Sequence, residues 1–152
     1  MNLGSLVRPD LVFPNLESSD GLEILRTLAR KVFEAGAVKD SEALYEKLLE
    51  REEIGSTAMG VGVAIPHCKL AGLKKVILAV GLVPGGVDLD APDEKAVHLF
   101  FVVISPPDSS TEHLKCLAMI SKWIRQTGNV ERLSSIESKE EICRCLESEE
   151  GS

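Results

Sequence analysis

Arg51-Glu52-Glu53-Ile54-Gly55-Ser56-Thr57-Ala58-Met59-Gly60-Val61-Gly62-Val63-Ala64-Ile65-Pro66-His67 leaves a helix-like segment, crosses a loop of small residues, becomes a short apolar run and stops at Pro-His. Pro66 fixes its own φ and pushes Ile65 toward an extended conformation. A strand that ends at a proline holds the imidazole after it, that of His67, at a sheet edge. Gly55, Gly60 and Gly62 permit close backbone approach and unusual φ values. Ser56 and Thr57 add hydroxyl donors. The stretch reads as one titratable nucleophile beside a loop able to cradle an anion, with Ser56, Thr57, Gly60 and Gly62 as the phosphate-loop residues.

Helices flank this stretch on its N-terminal side. Residues 1–17 read as an extended arm broken by Pro9 and Pro14, with a short strand at Leu11 to Phe13. Ser18-Ser19-Asp20 supplies N-cap residues, and Asp20 with Glu23 has capping-box spacing. Leu22, Leu25, Leu28, Ala29, Val32 and Phe33 then recur at helical spacing until Gly36. A second helix starts near Asp40-Ser41 and runs to Glu50 or Arg51. Two amphipathic helices before the motif imply a sheet for them to cover.

Strands follow. The loop spans residues 52–62 and Val61 to Ile65 is a short buried strand. Val76 to Val83 and Val97 to Ile104 are inner strands, rich in β-branched residues and bounded by turn residues. Val87 to Asp90 fits an edge strand, and Pro92 to Lys95 a turn. Asp108 to Glu112 starts a helix, with Ser109 and Glu112 at capping-box spacing. That helix carries Leu114, Leu117, Ala118, Ile120, Ser121 and Ile124 to about Gly128. A last helix covers Ser138 to Leu146, and an acidic tail frays from Glu147 to Ser152. The pattern predicts one α/β domain over residues 1–152, with helices packed on a mixed sheet.

Composition narrows the function classes. The net charge of −7 argues against nucleic acid or an anionic membrane surface as the main partner. Lys69, Lys74 and Lys75 cluster past His67 and read as a solvated face. No apolar run reaches spanning length and no signal-peptide pattern opens the chain. Cys68, Cys116, Cys143 and Cys145 then fit free thiols in a reducing cytoplasm. Cys143-Arg144-Cys145 is too tight for a Cys-x-x-Cys hook and reads as two semi-buried thiols on a late helix.

His67, His98 and His113 carry the chemistry to be weighed. His98 lies inside a strand and reads as a packed, hydrogen-bonded side chain. Strand ends and helix starts converge on one crevice in open α/β folds, so His67 and His113 can meet there. A neutral imidazole is a good nucleophile toward a phosphoryl group. Arg51 could hold the resulting charge, and His113 could donate to a phosphate oxygen near a helix N-terminus. Taken singly, each residue has a plainer reading. Arg51 could pair with Glu52 or cap its helix, His113 could be an exposed first-turn residue, and His67 a satisfied surface histidine. A zinc set of His67, Cys68, His113 and Cys116 stays open, although adjacent ligands suit one tetrahedron poorly. A Cys-His hydrolase lacks an orienting partner. Neither a P-loop nor a G-x-G-x-x-G is present.

Arg51-Glu52, the Ser56-Thr57 pair, the spaced glycines, Ala64-Ile65-Pro66-His67 and a second motif, Glu112-His113-Leu114, together resemble the type-2 IIA domains of the bacterial phosphotransferase system, the fructose/mannitol/nitrogen-regulatory group. The resemblance spans Ser18 to Leu146. It implies a mixed sheet with helices on both faces and a phosphohistidine at His67. It assigns the family's active-site arginine to Arg51 and its second histidine to His113. It implies phosphate from the carrier protein HPr or its nitrogen-branch counterpart, no metal and no bound nucleotide. Ala58 stands where the family usually has glycine, Cys68 is an unusual follower of the histidine, and Asp93-Glu94 replaces an Asp-Gly. Two outputs follow from the resemblance. Phosphate passes to a IIB cysteine and then a sugar, or the phosphorylation state tunes regulatory protein partners. The Pro-His-Cys-Lys-Leu run leans to the regulatory branch. The opposite class is a binding module in which His67 anchors a ligand without chemistry.

Overall fold

A computed structural model describes residues 3–18 and 20–148 of the chain. Ser19 and the tail from residue 149 lie outside the described residues, with the cap expected at Ser19; the fraying expected from Glu147 starts too early, since Glu147 and Ser148 still belong to the last helix. The chain begins with α1 (Leu3–Leu6), a 3-10 turn (Pro9–Leu11) and β1 (Val12–Phe13), and continues with α2 (Gly21–Glu34) and α3 (Ser41–Ile54). Five strands follow: β2 (Ala58–Gly60), β3 (Val63–Ala64), β4 (His67–Lys69), β5 (Ile77–Val87) and β6 (Val97–Ser105). The last elements are α4 (Ser110–Arg125), α5 (Asn129–Ser134) and α6 (Lys139–Ser148).

β6 is the axis of the sheet. It pairs antiparallel with β5 on one side, and β5 pairs parallel with β1. On its other side β3 and β4 follow one another in tandem, both parallel to β6. Pro66 has no N–H to donate and marks the gap between them, while its carbonyl accepts from Val103 N at 3.0 Å. β2 turns back on β3 to form the edge.

Helices cover both faces, as expected. Phe101, Val103 and Leu99 face α1, α4, α5 and α6, while Phe100, Val102 and Ile104 face α2 and α3. Strand alternation thus splits one apolar run into two cores. Phe100 and Phe101 are fully buried on opposite faces, each contributing about 1.5–3 kcal/mol of transfer free energy. Phe101 meets Trp123 edge-on at 5.6 Å. Gly81 lets α2 approach, since a Cβ there would lie 2.9 Å from Leu16 Cδ1 and 3.0 Å from Leu28 Cδ2.

Several expectations need correcting. Part of the N-terminal arm is helical, because Leu3 and Leu6 pack on the α4–α6 core. Helix α3 continues to Ile54, so residues 52–54 are helical and not loop, and Arg51 lies in the last turn. Val61 is no strand residue: it sits at φ +52 between Gly60 and Gly62, exposed in a turn. Strand β5 runs through Pro84-Gly85-Gly86 with a register shift, so Val87 pairs with Val97 and makes no separate edge strand. Helix α5 was unforeseen; Gly128 in the left-handed region starts it, and Asn129 Nδ2 donates to the carbonyl of Trp123 at 2.9 Å. Ser109 is the N-cap residue of α4 but makes no side-chain cap hydrogen bond. Cys143 and Cys145 are both buried. No helix of the described residues is long and apolar enough to cross a membrane.

Candidate functional site

The site is assembled at the Ser105 end of β6. His67 pairs with Val103, Cys68 with Ile104 and Lys69 with Ser105. Side chains alternate along β4, so Cys68 enters the α2–α3 core while His67 and Lys69 point to the α4 side. Helix α4 begins there. Its buried stripe is His113, Cys116, Ile120, Trp123 and Ile124, which turns His113 inward and leaves Leu114 outside. The His67 and His113 rings lie 5.5 Å apart at a tilt of 57°. Arg51 reaches the same point from the last turn of α3.

Hydrogen bonds fix the state of His67. Its Nδ1 is 2.7 Å from the carbonyl oxygen of Ile65. A carbonyl can only accept, so the proton sits on Nδ1. Arg51 Nε donates to Nε2 at 3.3 Å, which again requires a lone pair there. The nitrogen that faces the site is therefore the nucleophilic one. Burial pushes the His67 imidazole below its ordinary pKa, and the Arg51 charge adds to that against the Ile65 bond and Glu52, which oppose it. His113 is lowered too, by burial first and then by the charges of His67 and Lys69.

Arg51 and Glu52 do not pair. Arg51 Nη1 donates to the carbonyl of Gly55 at 2.8 Å. Glu52 instead accepts from Thr57 Oγ1 at 2.6 Å and from Thr57 N at 3.0 Å. Ser56 Oγ donates to the carbonyl of Leu89 at 2.6 Å and accepts from Ala58 N at 3.1 Å. These hydroxyls fasten the loop that follows the Arg51 helix. Lys69 Nζ donates to Ser110 Oγ at 2.6 Å, in the first turn of α4.

The structure brings Arg51, His67 and His113 together and leaves Gly60 and Gly62 elsewhere. His98 N donates to Gly62 O, whereas His67 pairs with Val103. Five residues along β6 separate the two points, roughly 16 Å at the strand rise. Gly60 (φ +87) and Gly62 (φ +81) are hairpin residues, tied down where Val61 N donates to Asp93 Oδ2 at 3.0 Å. The zinc set fails on geometry: Cys68 and Cys116 belong to cores on opposite faces of the sheet. Their thiols are pushed up to about 12 and about 11 by burial, far from metal-ready thiolates. His98 is half-buried and donates from Nδ1 to the carbonyl of Val83 at 3.1 Å, as a packed histidine should.

Two residues went unread in the sequence. Lys69 reads as a solvated lysine in the sequence, although the His67-x-Lys69 alternation on a strand marks a shared face. Ser105 reads as the turn residue after the strand that ends at Ile104; it is the last residue of β6, and its Oγ lies 2.6 Å from His113 Nδ1, fully buried. The burial of His113 was also readable, from Cys116, Ile120 and Trp123 recurring at helical spacing behind it.

Comparison with known proteins places the fold and the family. Residues 5–149 match the family described as phosphoenolpyruvate-dependent sugar phosphotransferase system, EIIA 2. The nitrogen regulatory protein of Bradyrhizobium diazoefficiens is 32% identical over 146 residues, covering 96% of this chain and 95% of that protein. The fructose-specific EIIA component of Haloferax volcanii is 33% identical over 129 residues, covering 85% and 82%. The crystal structure of nitrogen regulatory protein IIA-Ntr from Neisseria meningitidis superposes with a TM-score of 0.86 at 29% identity, covering 94% of this chain and 97% of that one. With a family match over nearly its whole length and relatives above 30% identity, the chain belongs to the type-2 EIIA family of the phosphoenolpyruvate-dependent sugar phosphotransferase system.

Proposed function

We propose that His67 carries a phosphoryl group on Nε2, that Arg51 and His113 hold it, and that the whole chain, residues 1–152, works as one such domain. The observation that carries this reading is the tautomer of His67. Ile65 O accepts from Nδ1–H, so the lone pair on Nε2 lies in the site beside a guanidinium. In the transfer, Nε2 bonds to phosphorus as the P–N bond of a donor phosphohistidine breaks. The released electron pair stays on the donor imidazole, which leaves neutral with the proton its other nitrogen carries, while the phosphorylated His67 ring keeps its Nδ1 proton on the Ile65 bond. Arg51 exchanges its contact with Nε2 for one with a phosphoryl oxygen, a stronger, charge-assisted bond.

The donor is HPr or its nitrogen-branch counterpart, and the protein acts in the cytoplasm. Exposed apolar side chains flank the site: Ile54, 83% exposed, ends the helix of Arg51, and Leu114, 65% exposed, follows His113. Such a rim suits a protein partner better than a small solute. Regulation of protein partners is the output favoured by the nitrogen regulatory relatives. Delivery to a IIB cysteine is the second reading, favoured by the fructose-specific relative.

The test is phosphorylation from phosphoenolpyruvate through enzyme I and HPr, or the nitrogen-branch pair, read by intact mass. Wild type gains one acid-labile phosphoryl group. Failure of transfer from both carriers would leave a binding module.

A further inference from the structure

Ser105 closes β6 and is fully buried, and among the described residues the sole partner of its hydroxyl is His113 Nδ1, at 2.6 Å. Its backbone carbonyl is occupied separately, by Leu70 N at 2.8 Å. The hydroxyl carries one proton, and two arrangements of the pair are conceivable. If His113 donated from Nδ1, the serine proton would be left buried without an acceptor. If the serine donates to Nδ1, both groups are satisfied and the imidazole proton must lie on Nε2. Nδ1 is then taken, and Nε2–H is the part of the ring left for a ligand.

We propose that Ser105 is a positioning residue that fixes His113 in the Nε2–H tautomer, so that His113 offers a hydrogen-bond donor, and not a second nucleophile, to a phosphoryl group on His67. The two rings, 5.5 Å apart, then hold opposite tautomers. His67 carries its proton on Nδ1, which donates to Ile65 O, and is bare on Nε2. His113 is bare on Nδ1 and protonated on Nε2. One ring attacks and the other donates, and backbone and serine partners set the assignment before any phosphate arrives. Burial of His113, with the Lys69 charge near it, also disfavours the doubly protonated ring that would bypass this control. The acceptor of the His113 bond rests on the carrier reading; the tautomer does not.

The experiment is long-range proton–nitrogen correlation of the imidazoles in 15N-labelled wild type, Ser105→Ala and Ser105→Thr, with phosphoryl transfer from phosphorylated HPr measured beside it. In wild type, His113 shows a protonated Nε2 and a bare Nδ1. In Ser105→Ala the two tautomers mix and transfer slows about tenfold, the worth of one hydrogen bond. Ser105→Thr restores both the pattern and the rate. A wild-type His113 protonated on Nδ1 overturns the proposal without need of any variant. So does a Ser105→Ala protein whose pattern is unchanged, whatever its rate. If wild type accepts no phosphate, the carrier reading falls, and the imidazole spectra still decide the role of Ser105.

Discussion

His67 and His98 lie on neighbouring strands of one sheet, and both donate from Nδ1 to a backbone carbonyl: Ile65 O at 2.7 Å for one and Val83 O at 3.1 Å for the other. Their tautomers are the same. The difference lies in what faces Nε2. At His67 it is the Arg51 guanidinium, with the His113 ring close by. At His98 it is Gly86, where even a methyl group would come within 3.0 Å of Nε2 and 2.7 Å of Cε1. A bare imidazole nitrogen is thus no site until a charge stands before it. The two ends of β6 divide the work, one holding chemistry and the other closing the hairpins of the sheet.

The sharpest way to break this contrast is to remove each ring. His67→Ala should abolish phosphoryl acceptance, while His98→Ala should transfer within about twofold of wild type, the spread expected of a change outside the site. A phosphorylated His67→Ala protein, seen by intact mass, would erase the distinction. Arg51→Ala comes next. It should slow transfer about 100-fold, the usual size of losing one preorganised donor to developing charge. Its fold should survive with a loss of about 1 kcal/mol from the Gly55 contact, and stopped-flow transfer beside chemical denaturation separates the two effects.

At the other end the effect should be on stability alone. Gly86→Ala meets a positive φ of 72° and the His98 ring together. It should cost about 2 kcal/mol in urea unfolding and leave the transfer rate unchanged. The smallest effect is a pH slope. His67 and His113 are both held below their ordinary value of 6.5 in the folded chain. Between those lowered values and 6.5 the unfolded chain binds more protons, so their full contribution is present above 6.5 and is lost as pH falls through the window. His67→Gln/His113→Gln should flatten that acid limb of stability, read by urea unfolding across the pH range.

The order of helices and strands was readable in the chain, because the apolar period changes visibly from helical to extended and Gly and Pro punctuate it. His67 was readable too, from a proline and glycines that are local signals. Local rules failed where partners are distant. Gly60 and Gly62 looked like neighbours of His67 from a few residues away, yet β3 runs along β6 and carries them roughly 16 Å off at the strand rise. Leu22 and Phe33 looked like core and are exposed, since the buried stripe of α2 is Ile24, Leu25, Leu28, Ala29 and Val32. Ser105 carried no sequence signal at all. Its role exists because β6 ends where α4 folds back, bringing a hydroxyl and an imidazole eight residues apart into one hydrogen bond. Periodicity is a property of neighbouring residues and can be read from them. The protonation state of a ring depends on which atoms of remote elements meet its two nitrogens, and packing alone brings those together.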